Sequence, residues 1–90
     1  MQDCYNKYKK ALIDCLANEI KTQRQKNKKS ISLLSAEIGM TKSMWADLEK
    51  GIKDPQLSTI WRICQGLGIP LSTVIKDIEE KLGKDFSLID

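Results

Sequence analysis

The 90-residue chain contains no histidine. It therefore lacks the one side chain that titrates between about pH 5 and 8, and with it imidazole bases and imidazole metal ligands. There is no glycine-rich phosphate loop, and Asp77, Glu79 and Glu80 read as a solvated helix flank. Enzymatic chemistry is not expected, and neither is a cofactor or a bound metal. Cysteine is scarce: Cys4, Cys15 and Cys64 are odd in number, widely spaced and form no CxxC pair. That pattern excludes a disulfide framework or a zinc site, and free thiols suit a reducing cytoplasm, the expected location. No apolar run approaches about 18 residues and the N-terminus is polar, so neither a membrane span nor a signal peptide is expected. Aromatic bulk is limited to two Trp, two Tyr and one Phe, which leaves Leu, Ile and Val to build the core.

What the chain does have is charge, unevenly spread. Residues 1–62 hold 12 bases against 7 acids, while residues 63–90 hold 3 bases against 5 acids. Lys21, Arg24, Lys26, Lys28 and Lys29 lie between Ile20 and Glu37 with no acid among them. Such a cluster suits either a solvated turn or a surface that faces a polyanion.

Periodicity predicts an all-α chain. Apolar residues at Tyr5, Tyr8, Leu12, Cys15, Leu16 and Ile20 give a long amphipathic helix over 3–27. Ser30 caps a second helix that buries Leu34 and Ile38 and stops at Gly39. Thr41 caps a third, over 42–50. Leu57, Ile60, Cys64 and Leu67 form the buried stripe of a fourth, closed by Gly68. A fifth starts after Pro70 and buries Leu71, Val74, Ile75, Ile78 and Leu82. Residues 84–90 form a tail. The expectation is a single domain over 1–90, with a core at 16–78 and no room for a ligand-sensing module.

The third helix raises the functional question. With Trp45 at the centre of its buried side, Glu49 lies about 40° away, so a carboxylate points inward. Arg24 falls one turn beyond Ile20 on the buried side of the first helix. Either charge alone would be costly to bury, so the two are expected to pair. The opposite side carries Lys42, Ser43, Ala46, Asp47 and Lys50, small and polar groups next to a helix N-terminus with free amides. A helix of that character fits the DNA major groove, about 12 Å wide.

Two capped helices hinged at a glycine form a helix-turn-helix at 30–51. The run Ser30 to Gly39, the Met40-Thr41 pair, Leu-Glu-Lys-Gly at 48–51 and the D-P-x-L-x-T-I stretch from Asp54 together resemble the Cro/repressor-type (XRE) family. That resemblance covers about Leu16 to Ile78. It implies a five-helix lambda-repressor-like domain, here with a lengthened first helix and a short C-terminal tail. It also implies the Arg24–Glu49 pair, with the arginine able to lean toward a phosphate. The positions it aligns with base contacts are Lys42, Ser43, Met44 and Asp47. Phosphate contacts fall to Ser30, Thr41, Lys50 and Lys53, with looser support from Lys28 and Lys29. The implied activity is transcriptional regulation, as a repressor, by a homodimer on a palindromic operator.

Several residues depart from the family pattern. Ile31 and Leu33 replace polar groups, Trp45 replaces a smaller aliphatic, and Asp47 sets negative charge on a face meant for a polyanion. Two readings follow: an operator in which Asp47 selects cytosine, or a helix-turn-helix turned toward protein, such as an antitoxin that grips a toxin. The apolar residues of helix five and the tail are either a dimer surface or a cover for Tyr5, Tyr8 and Leu12.

Overall fold

The computed structural model describes residues 2–89, with side chains from Tyr5 onward. Five helices follow one another: α1 (Gln2–Asn27), α2 (Ile31–Glu37), α3 (Lys42–Glu49), α4 (Leu57–Leu67) and α5 (Leu71–Leu82). No strand forms among the described residues. At 1.5 Å per residue α1 is roughly 39 Å long, which accounts for a molecule measuring 41 × 23 × 20 Å.

The short helices form where the chain supplies caps. Ser30 and Thr41 both adopt extended backbone, and their hydroxyls accept from the Leu33 and Met44 amides, each at 3.1 Å. Each hydroxyl thus satisfies one of the amides that a helix start leaves without a partner. Between them Gly39 turns the chain at φ +68°, a left-handed conformation that costs glycine little.

All five helices contribute to one core. Leu34, Trp45 and Ile63 are fully buried at its centre, with Leu16 and Ile20 from α1 and Val74 and Ile78 from α5 around them. α1 lies along α5 and α3, and α4 packs on α2 and α5. Two expectations need correction. Leu57 is 61% exposed and does not belong to the buried stripe of α4. As the first residue of the helix it stands beyond the edge of the core, and Ile63 takes the central position. Ile75 likewise reaches the surface, with Val74 and Ile78 carrying the buried side of α5.

After Gly83 the tail turns back along α1. Phe86 packs edge-on against Tyr8, ring centroids 5.5 Å apart and planes at 87°, a favourable aromatic geometry. The tail thus reaches Tyr8 of the lengthened first helix, while Tyr5 stays 40% exposed. Leu88 and Ile89 stay exposed.

Candidate nucleic-acid interface

Three groups converge beneath α3. The Arg24 guanidinium meets the Glu49 carboxylate as a fork, Nε donating to Oε2 at 2.6 Å and Nη2 to Oε1 at 3.0 Å. The indole Nε1 of Trp45 donates to the same Oε2 at 2.6 Å. Both charges are withdrawn from water, with side-chain exposures of 17% for Arg24 and 7% for Glu49. The hydrogen bonds to Glu49 hold the Arg24 guanidinium even further above its ordinary pKa, against the opposing effect of burial. Trp45 therefore does two things that a smaller aliphatic could not: it fills the core and closes the third hydrogen bond on the acid. The remaining Arg24 nitrogen, Nη1, donates to the Lys29 carbonyl at 3.2 Å and holds the turn after α1. Each of its three nitrogens thus makes one bond within the protein, which holds the guanidinium in place beneath α3.

This clamp fixes which side of α3 faces out. Lys42, Ser43 and Met44 are exposed along its first turn, Asp47 is half-buried, and Lys50 is exposed at its end. Lys53 is exposed on the loop that follows. Ser30 and Thr41 stand at the starts of α2 and α3. Each uses its oxygen as a cap acceptor, which leaves the hydroxyl hydrogen free to donate. Lys28 is exposed, with φ at +57° in the turn out of α1. Lys29 is drawn away to Glu37 at 3.3 Å, so part of its charge is already neutralised.

Three other polar sites carry no strong local signal in the sequence. Glu19 on α1 is 3% exposed and receives Lys81 from α5 at 3.1 Å and Gln23 at 3.1 Å. Burial alone would push the Glu19 carboxyl up. The hydrogen bonds from Gln23 and Lys81, with the lysine's charge, outweigh that and hold it below the ordinary carboxylate range. Asn27 on α1 donates to the Leu67 carbonyl at the end of α4, at 3.2 Å. Arg62 on α4 donates to the Ile38 carbonyl at 2.6 Å and the Gly39 carbonyl at 3.2 Å. The Cys15 and Cys64 thiols are both raised by burial, which leaves them protonated and poorly nucleophilic.

The helix-turn-helix family HTH_3 matches residues 20–74, a span that runs from Ile20 through Arg24, α2, α3 and α4 to Val74. The chain belongs to this helix-turn-helix family. It is 35% identical over 60 residues to the HTH-type transcriptional regulator SutR of Escherichia coli (strain K12). That likeness covers 67% of this chain and 34% of SutR. A crystal structure of an HTH_3 family transcriptional regulator from Vibrio cholerae has the same fold, with a TM-score of 0.75 at 24% identity. It covers 91% of this chain and 46% of that one, so this chain spans less than half the length of either protein. Both relatives are transcriptional regulators. Within this helix-turn-helix fold, α2 is the supporting helix and α3 the second helix, whose outer side is the candidate interface.

Proposed function

We propose that residues 1–90 act as one helix-turn-helix domain that binds double-stranded DNA sequence-specifically and represses transcription in the cytoplasm. The observation that carries this reading is the asymmetry of α3. Its inner side is locked to α1 through Arg24, Glu49 and Trp45, while its outer side stands open to solvent. A rigid helix with an open polar side can enter a major groove in a fixed orientation.

Lys42 donates to guanine O6 or N7, Ser43 bonds a base edge, Asp47 accepts from a cytosine amino group and Met44 meets a thymine methyl. Ser30, Thr41, Lys50 and Lys53 hold phosphates, with Lys28 adding long-range attraction. Lys29 contributes less than its neighbours because Glu37 already holds it. A homodimer places two copies of α3 about one helical turn apart on a palindrome. Its apolar contact is supplied by Leu57, Trp61 and Ile75, which are 61%, 52% and 36% exposed with the tail folded elsewhere.

Selection from a random duplex pool tests the reading and is expected to return a palindrome. Log affinity for that palindrome falls with log salt at a slope of several units, as about five to eight phosphates per dimer require. Asp47→Asn relaxes preference at one base position; an unchanged selection would remove Asp47 from the base contacts. Sedimentation equilibrium at micromolar protein reads the dimer directly.

One observation favours a second, protein-directed use of the same fold. Leu33 on α2 and Met44 on α3 are each 48% exposed beside the polar face. An antitoxin-like module would hold a protein such as a toxin there and bind no duplex even at about 50 mM salt.

A further inference from the structure

Arg62 is a long cationic side chain on the surface of α4, 23 residues away from Gly39 in sequence. Its guanidinium does not point away into water. Nη2 lies 2.6 Å from the Ile38 carbonyl and 3.2 Å from the Gly39 carbonyl, the two peptide groups that lead out of α2 toward α3. The amides of Gly39 and Met40 close α2 by donating back to the Ala36 and Ser35 carbonyls. The carbonyls of Ile38 and Gly39 are left over, as helix ends require, and Arg62 takes both with charge-assisted bonds.

A second contact holds the same turn. At Gly66, one turn further along α4, a Cβ would come within 2.6 Å of Ile38 Cγ2. Bare backbone at Gly66 therefore lets Ile38 lie directly on α4. That helix is itself fixed in the core by Ile63, Cys64 and Leu67. The turn between α2 and α3 is thus gripped from below by Ile38 on Gly66 and from the side by Arg62.

The consequence concerns α3. Its exit is tied to α1 through Glu49 and Arg24, and its entry follows directly on the peptide groups that Arg62 holds. The entry end carries Thr41, Lys42, Ser43 and Met44. At 1.5 Å per residue α3 is roughly 12 Å long, so a tilt of about 5° about its exit moves the entry by about 1 Å. A displacement of that size breaks a hydrogen bond to a base edge. We infer that Arg62 is a positioning residue, which sets the pose of the entry end of α3 from outside the helix-turn-helix. This rests on the DNA-binding reading of α3 proposed above.

An exposed arginine could instead touch a phosphate itself, and the two roles differ in what they change. A phosphate contact adds equally to every duplex, and its loss lowers the salt slope by about one unit. A positioning residue acts on discrimination. For Arg62→Met we expect affinity for the selected operator to fall about tenfold and affinity for random duplex to fall less than twofold. Amide exchange in the free protein is expected to speed up at Met44 and Trp45 and to stay unchanged at Lys50 and Gly51. Arg62→Lys keeps the charge but not the planar fork, so it is expected to show the same losses in smaller measure.

Three outcomes overturn the inference. One is an unchanged ratio of operator to random affinity. Another is exchange that rises equally at both ends of α3, which is general loosening. The third is Arg62→Lys restoring duplex affinity while exchange at Met44 and Trp45 stays fast, which is charge alone. If the parent protein selects no operator, the functional reading fails, and the exchange comparison still decides whether Arg62 holds the turn.

Discussion

The molecule buries two glutamates, and it treats them differently. Glu49 is met by a planar guanidinium that donates twice and by an indole N–H, groups with little freedom once packed. Glu19 is met by a lysine ammonium whose side chain is 49% exposed and by a neighbouring amide. The first arrangement fixes an angle, that between α1 and α3. The second fastens α1 to α5 with a partner that moves in solvent. A buried acid on a helix thus says little by itself; the rigidity of what reaches it decides whether it orients a functional surface or merely holds two helices together.

The largest effect is expected at the rigid site. Arg24→Met leaves a buried carboxylate without its counter-charge, and Glu49→Gln leaves the guanidinium in the same position. Either should cost about 3–5 kcal/mol, read as a fall in the midpoint of thermal or urea unfolding. Melts that match the parent protein would break the contrast between the two acids. Trp45→Phe comes next. It keeps most of the bulk and deletes one donor to a charged acceptor, for a loss of about 2 kcal/mol.

Glu19→Gln should shift the melt least, because the exposed Lys81 is screened by water and salt. Raising salt from about 0.1 to 1 M should narrow the gap between Glu19→Gln and the parent protein, and should leave the Trp45→Phe gap nearly unchanged. The acid limb sharpens the comparison further. The folded-state pKa of Glu19 lies below its ordinary value, so the unfolded chain takes up a proton first as pH falls. The stability owed to Glu19 is then complete above about pH 4.3, the ordinary glutamate value, and drains away below it. Glu19→Gln should flatten that limb of a pH titration of unfolding. An unchanged acid limb would mean that the carboxyl gains nothing from Lys81.

The two sites also differ in how far they could be read from residues alone. Glu49 is legible because helical periodicity aims it inward beside Trp45, and Arg24 recurs one turn past Ile20 on the matching stripe. α2 and α3 are legible for a similar local reason: Ser30, Gly39 and Thr41 mark their ends. The Trp45 donor escapes because a tryptophan on a buried stripe reads as volume, and its N–H counts only once an acceptor is placed 2.6 Å away. Glu19 escapes because its partner lies 62 residues on, and nothing near either residue signals the other. Arg62 and Asn27 escape for the same reason, since each serves a carbonyl on a helix remote in the chain. The burial of Leu57 is misread because periodicity gives a direction around the helix axis, not a distance along it to the edge of the core. The path of the tail is set by Phe86 finding Tyr8, a contact that no spacing rule dictates.

The helix exits are closed in relay: Asn27 of α1 holds the last carbonyl of α4, and Arg62 of α4 holds the carbonyls that end α2. Helices of seven and eight residues, as α2 and α3 are, do not persist alone in water. A peptide cut out at residues 30–51 would therefore be a coil and no miniature of the parent. Melting is expected to be all-or-none, because α2 and α3 borrow their closure from helices remote in the chain.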